Sequence, residues 1–201
     1  MTFLFDIGNV LLKLHFDRFQ TTILGSPDSP FSPEFAKVKE LYESGKIDDG
    51  QFPDQALPHL PRPVAREAFI KAWQDIFSLN DPMWQVVRSL KNEGHRLILF
   101  SNTNGLHAEA FLRDFPDFAH FDHQHFSHEV KALKPEPAFY QSAIEQYRLD
   151  PAETLYFDDL AENIATGRQF GFSCWQYHPD EHPAFLAWLA GQGIPLEPDA
   201  R

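Results

Sequence analysis

Short apolar runs broken by polar residues recur along this chain, and their spacing switches between the two-residue period of strands and the three-to-four-residue period of helices. Phe3-Leu4-Phe5 runs into Asp6-Ile7-Gly8-Asn9, a buried strand followed by turn chemistry. Gly tolerates positive φ there, and Asn can bond its own backbone. Arg96 to Phe100 repeats the unit and ends at Ser101-Asn102-Thr103-Asn104; Thr154 to Phe157 repeats it again and ends at Asp158-Asp159. Phe121 to Phe126 is a weaker strand before the loop carrying Lys134-Pro135, and Ser173 to Tyr177 closes the set. Helical stretches separate them. Asp81-Pro82 predicts a helix start by an N-cap acid with Pro at the first helical position, and Gly94 ends that helix. Further helices are predicted over Leu106 to Phe115, through Phe139, Tyr140, Ala143, Ile144 and Tyr147, from Asp159 to Gly171, and over Pro183 to Ala190.

Between Leu12 and Asp81 the pattern is different. Ser26-Pro27-Asp28-Ser29-Pro30, Pro53, Pro58, Pro61 and Pro63 mark loops, and the segments between them are helical in period. Phe35, Val38, Leu41 and Tyr42 share a face of a helix that Ser32 caps and Gly45 ends, and Ala65, Phe69, Ala72, Trp73 and Ile76 share a second. Residues 14–80 therefore read as a small helical insertion, and 1–13 with 81–201 as the core.

Strands alternating with helices of this length predict an α/β fold, a Rossmann-like, doubly wound and mostly parallel sheet. In such a sheet ligands bind at the carboxyl ends of the strands. Asp6, Ser101, the loop bearing Lys134, and Asp158-Asp159 would all fall on that edge. Each alone reads equally as a loop cap, a helix N-cap or a solvated lysine; together they predict one crevice.

Composition narrows the partners. Seventeen Lys+Arg against 29 Asp+Glu give a formal net charge of -12, which disfavours nucleic acid and anionic membrane as partners. The single cysteine, Cys174, excludes an intrachain disulfide and fits a cytoplasmic setting. No basic segment precedes the first apolar run, so no secretory leader is expected, and no stretch is long enough to span a bilayer. Oligomeric state is not encoded in any pattern found.

The chemistry of the predicted edge is that of a cation between carboxylates. Asp6, Asp158 and Asp159 offer hard oxygen ligands suited to Mg²⁺, which usually shares its sphere with a substrate phosphate. Lys134 adds a point charge for a phosphoryl oxygen, and the Ser101 hydroxyl with the amides of Asn102 and Thr103 adds hydrogen bonds. Asp6 would then attack phosphorus and form an aspartyl-phosphate, which water hydrolyses. The expected substrate is a small phosphorylated metabolite.

These residues resemble the haloacid dehalogenase superfamily of aspartate-nucleophile hydrolases. Asp6-Ile7-Gly8-Asn9-Val10 resembles its first motif, Ser101-Asn102 its second, Lys134-Pro135 its third, and Phe157-Asp158-Asp159 with Glu162-Asn163-Ile164 its fourth, in the same order. Asp-x-Gly-Asn-Val, Ser-Asn-Thr-Asn-x-Leu-His and Phe-Asp-Asp are most similar to its bacterial glucose-1-phosphate phosphatase subgroup. The resemblance implies that Asp6 is the nucleophile, that Ser101 and Lys134 hold phosphate, that Asp6, the Gly8 carbonyl, Asp158 and Asp159 form the metal side, and that residues 14–80 are a cap. Two departures stand out. Most phosphatases of the superfamily carry Asp where Gly8 stands and use its side chain to protonate the leaving group, so Gly8 implies an activated ester such as a sugar 1-phosphate. Lys131-Ala132-Leu133 precedes Lys134 where relatives often carry Gly, which leaves Lys131 as a lesser phosphate-holding candidate. The alternatives are a metal-independent 2-haloacid dehalogenase and a catalytically weak regulator that binds a phosphorylated ligand. His15 is a second possible acid, Arg62 and Arg66 are possible cap-side anion contacts, and His120, His123, His125 and His128 are expected to be ordinary loop and strand residues rather than a zinc site.

Overall fold

The computed structural model describes residues 1–196. β1 (Thr2–Phe5), β4 (Arg96–Ser101), β5 (His123–Phe126), β6 (Thr154–Asp158) and β7 (Ser173–Gln176) form one parallel sheet in the order β5-β4-β1-β6-β7. β1 is central because its apolar residues leave neither face for water. Phe3 and Phe5 pack into one core with Leu97, Leu99, Leu155 and Phe157, while Leu4 packs into the other with Ile98, Phe100 and Tyr156. This is the period-two alternation of a strand covered on both sides.

Helices α5 (Asp81–Asn92), α6 (Gly105–Asp114) and α10 (His182–Gly191) supply Trp84, Val87, Phe111 and Phe185 to the first core. α8 (Pro137–Tyr147) and α9 (Ala161–Gln169) supply Phe139, Tyr140 and Ile164 to the second. Register then sets the functional edge. Phe5 pairs with Leu99 and with Phe157, so Asp6, Ser101 and Asp158 emerge together at the carboxyl ends of three adjacent strands.

Between β1 and α5 the chain departs from the sequence reading in its strands and in one helix. β2 (Leu12–Leu14) and β3 (Phe77–Leu79) pair antiparallel as a small ribbon at the two ends of the helical insertion. Three residues per strand are too few for alternation to stand out, and Phe77 reads as the last turn of a helix until its partner is present. Inside the ribbon lie α1 (Phe16–Phe19) with a π-helical turn at Gln20–Leu24, then α2 (Pro33–Glu43), α3 (Gln51–Ala56) and α4 (Arg66–Gln74). Ser32 Oγ accepts from Phe35 N at 3.1 Å as the N-cap of α2, and Gly45 takes φ +66° just after its end.

α3 was read as loop because of Pro53; that proline sits in the first turn, where its missing N–H costs no helical bond. Phe19, Phe35, Phe52, Phe69 and Trp73 make an aromatic core of their own, which Leu106 of α6 joins. The N-cap of α5 is Asn80, one residue earlier than expected, leaving Asp81 in the first turn where the helix dipole favours an acid. The buried Asn80 donates from Nδ2 to Val10 O at 2.7 Å and to Tyr177 Oη at 3.1 Å, tying the insertion's exit to the core. Among the described residues no helix is long and apolar enough to cross a membrane.

Candidate active site

Asp6 extends β1 by one residue, its N–H donating to Phe157 O at 2.9 Å, and the chain then turns back as Leu11 N and Leu12 N both reach Ile7 O. The left-handed residue of that turn is Asn9, at φ +54°, rather than Gly8. Asn tolerates this region through its short polar side chain. Here that side chain has a further use: Asn9 Nδ2 donates to Asp159 Oδ2 at 2.9 Å and holds the second acid of the pair.

Asp6 faces two donors at once. Ser101 Oγ donates to Asp6 Oδ1 at 2.7 Å, and Lys134 Nζ donates to the same oxygen at 2.8 Å. The ammonium also donates to Asp158 Oδ2 at 2.6 Å and to Phe100 O at 2.9 Å, so all its protons are engaged. Asn102 holds that lysine in place: its Oδ1 accepts from Lys134 N at 2.8 Å and its Nδ2 donates to Lys134 O at 2.9 Å. The Asn102 side chain therefore positions Lys134, with one of its two Nδ2 protons so engaged. Thr103 lines the same cavity, but its N–H donates to Ser127 Oγ at 3.0 Å, so that amide is committed. Lys131 is exposed and has no part in the cluster, which leaves Lys134 as the central cation.

Asp158 is fully buried and saturated. Besides Lys134 it accepts from Tyr156 Oη at 2.6 Å, Leu160 N at 2.9 Å and Asn163 Nδ2 at 2.9 Å. Burial pushes the Asp6 carboxyl up to about 7, with Asp158 and Asp159 adding repulsion and Lys134 opposing both. Burial also raises Asp159, against the bond from Asn9. Lys134 stays charged: burial pulls it down, and Asp158 and Asp6 more than reverse that.

The model of the haloacid dehalogenase-like hydrolases matches residues 1–171, the stretch that carries every group just described. The chain belongs to that family. Among relatives, a D-ribitol-5-phosphate phosphatase of Bacteroides thetaiotaomicron is 26% identical over 86% of this chain and 89% of its own. A solved haloacid dehalogenase-family enzyme of the same organism superposes with a TM-score of 0.81 at 23% identity, covering 92% of this chain and 97% of that one. Its magnesium complex gives 0.77 at 24%, over 89% and 93%. The L-2-haloacid dehalogenase of Xanthobacter autotrophicus gives 0.65 at 15%, over 86% and 75%. Phosphate and carbon–halogen chemistry thus share this fold, and the side chains must discriminate.

Within this haloacid dehalogenase-like site, three carboxyl groups gather around one ammonium, an excess of acid over base in a mostly buried setting. Asp6, Asp158 and Asp159 each offer an oxygen within 4.8 Å of the others, and among the described residues no other group of metal-capable side chains meets that test. Beside them Asn163 Oδ1 is buried with no hydrogen-bond partner. Hard oxygen donors, an excess of acid over base and an unfilled acceptor beside them fit Mg²⁺ with its retained waters. Asp6 and Asp159 are the open carboxylates; Asp158 is the one already saturated.

A cavity of about 330 Å³ opens over Asp6, at the small end of ligand pockets. It is also lined by residues to which the sequence reading attaches no role: Lys39 and Glu43 of α2, Phe111 of α6, Phe77 of β3, and His107 of α6, the last residue of the Ser-Asn-Thr-Asn-x-Leu-His stretch. His107 is locked rather than reactive. Asn104 Nδ2 lies 3.0 Å from its Nδ1, Trp73 O lies 2.9 Å from its Nε2, and burial pushes its pKa down to about 3. His15 binds Ser78 Oγ at 2.6 Å in the ribbon; Arg62 donates to Thr22 O and Ile23 O, and Arg66 to Asp54 and Gly50 O. None of these three lines the cavity. Of the other histidines, buried His125 bonds Phe139 O and Ser142 Oγ as ordinary core packing.

Proposed function

We propose that this enzyme is a Mg²⁺-dependent phosphatase of small phosphate monoesters, with residues 14–80 as the cap over its site. The observation that carries this reading is the buried Asp6–Lys134–Asp158 cluster, completed by Asp159, on the floor of a small cavity. A bound Mg²⁺ would be held by Asp6, the Gly8 carbonyl and Asp159, with Asp158 alongside, and would supply the charge that draws a phosphoryl group onto Asp6.

The chain's own residues do the rest. Ser101 and Lys134 fix Asp6 Oδ1, leaving Oδ2 to attack phosphorus; the P–O bond to the substrate alcohol breaks as the bond to Asp6 forms. The donors that held the carboxylate turn to the phosphoryl oxygens. Water then cleaves the aspartyl-phosphate, releasing inorganic phosphate and restoring Asp6.

The known activity of the similar ribitol-phosphate phosphatase supports a polyol or sugar phosphate as substrate. Gly8 supports an activated one, in line with the glucose-1-phosphate phosphatase subgroup: no side chain stands two residues after Asp6 to protonate a departing alkoxide. His107 does not replace it, because both ring nitrogens are engaged and the ring is neutral. A 2-haloacid carboxylate entering the same cavity would meet the excess negative charge directly, which disfavours the metal-independent reading.

The test is a panel of phosphate esters assayed with and without Mg²⁺, using Asp6→Asn as the blank. Mg²⁺-dependent release of phosphate, lost in Asp6→Asn and faster from a sugar 1-phosphate than from its 6-phosphate, is the expected result. Metal-independent chloride release from 2-haloacids, or ligand binding without turnover of any ester, would replace the proposal with one of its rivals.

A further inference from the structure

The lining of the cavity over Asp6 includes a charged pair that the phosphoryl chemistry does not use. Lys39 and Glu43 stand one turn apart on α2, with Lys39 Nζ 2.7 Å from Glu43 Oε1 and 2.8 Å from Oε2. Both are partly buried, and both line the cavity that holds Asp6, Ser101 and Lys134. A surface i,i+4 pair of this kind contributes only a few tenths of a kcal/mol to a helix and has no need of a cavity.

Their location is fixed from the core. Ser127, at the start of α7 (Ser127–Val130), points its one hydroxyl proton between Glu43 O at 2.6 Å and Thr103 O at 3.0 Å. Tyr42, next to Glu43, accepts from Leu106 N at 2.9 Å and donates to Asp49 at 2.7 Å. The end of α2 is thereby bolted to the strand end that carries Ser101. Phe35, Val38 and Tyr42 face the aromatic core of the insertion, leaving Lys39 and Glu43 for the cavity side. The charge of Lys39 also reaches His107, which lines the same cavity.

We infer that Lys39 and Glu43 are the specificity-determining residues of the enzyme, reading an uncharged polyhydroxylated leaving group, an aldose or alditol, by paired hydrogen bonds. This rests on the phosphatase reading above. The pair is neutral as a unit, so it offers no net attraction to a second anionic group on the substrate. It offers instead an ammonium that donates to a hydroxyl oxygen and a carboxylate that accepts a hydroxyl proton, the two halves of what a carbon–OH chain requires. Leu14, Phe16, Ile76 and Phe77 give the same cavity apolar lining, against which the C–H faces of such a chain pack. A dicarboxylate or bisphosphate would have to break the pair and leave Glu43 facing a like charge.

The test compares kcat/KM for an alditol or aldose phosphate with kcat/KM for p-nitrophenyl phosphate, whose leaving group has no hydroxyl chain. Glu43→Gln and Lys39→Met are each measured, with thermal melts to establish folding. In each variant the ratio of the two constants falls about ten- to a hundredfold, because a charge-assisted hydrogen bond to the polyol is lost while the aryl ester never makes it. A ratio within about twofold of the unmodified enzyme in both overturns the inference, since loss shared by both substrates is damage to the fold or the chemistry. A preference of the unmodified enzyme for a phosphorylated dicarboxylate or a bisphosphate overturns it as well. If the unmodified enzyme shows no Mg²⁺-dependent turnover of p-nitrophenyl phosphate, the phosphatase reading fails and takes the subsite with it; if that turnover is present, only the subsite is at stake.

Discussion

Restoring a carboxyl group at Gly8 puts the absent proton donor to direct trial. A Cβ built there would lie 3.7 Å from Asp6 Oδ2 and 3.0 Å from Leu14 Cδ1, with Leu14 Cγ at 3.6 Å. Gly8 is not among the residues of positive φ, so an L side chain meets no backbone strain. The close neighbour is the end of a leucine side chain that itself borders the cavity, and a shift of a few tenths of an ångström relieves it. In Gly8→Asp the new carboxyl therefore reaches the space over the attacking oxygen, where the substrate's bridging oxygen must depart.

Two effects then combine. General acid catalysis contributes roughly 10²- to 10⁴-fold. Repulsion from Asp6, Asp158 and Asp159 hinders ionisation of the new acid and so favours the protonated form that the reaction needs. Because the surrounding shell has not adapted to the new group, about ten- to a hundredfold in kcat/KM is expected for alkyl esters, or about 1.4 to 2.7 kcal/mol of barrier. Little change is expected for p-nitrophenyl phosphate, whose leaving group needs no proton. The assay is kcat/KM across esters of graded leaving-group pKa, for the unmodified enzyme and Gly8→Asp. The dependence on leaving-group pKa becomes shallower in the variant; an unchanged slope would refute the claim that Gly8 marks a lost acid.

Two other outcomes follow from the buried charges. Lys134→Met removes the ammonium from Asp6 and Asp158 and leaves two buried carboxylates uncompensated, a loss of about 3 to 5 kcal/mol in urea unfolding at neutral pH in EDTA. Because Asp6, freed of the ammonium that holds its carboxyl down, then protonates more readily, the deficit narrows in more acidic buffer; an equal deficit at pH 7.5 and pH 5.5 contradicts the electrostatic account. For His107, the folded value of about 3 lies below the ordinary 6.5, so the unfolded chain binds a proton that the native state refuses. The stability tied to neutral His107 is fully present above about pH 6.5 and is lost as the pH falls towards 3, at about 1.4 kcal/mol per pH unit. Between pH 7 and pH 5, His107→Gln accordingly loses about 2 kcal/mol less than the unmodified protein, read from denaturant midpoints, and parallel pH dependences would show that the imidazole is not buried neutral.

The sequence by itself determined the sheet and the floor of the site. Asp6, Ser101 and Asp158 are legible because each directly follows an apolar run, and in a parallel sheet every such run ends at the same edge. Lys134 is legible because Lys134-Pro135 matches a family motif, although local pattern alone does not separate it from Lys131. The roles of Asn102 and Thr103 are not: both lie where expected, but only the fold turns the Asn102 side chain onto the Lys134 backbone and commits the Thr103 amide to Ser127. Lys39 and Glu43 leave no signal at all, since Lys-Val-Lys-Glu-Leu-Tyr-Glu reads as an ordinary helix surface, and His107 enters only as the last residue of the Ser-Asn-Thr-Asn-x-Leu-His resemblance, with no role attached. Their meaning depends on which helix faces which strand end, and that was decided by contacts between distant segments: Ser127 on Glu43, Tyr42 on Leu106, His107 on Trp73, and a ribbon of two three-residue strands too short to announce themselves.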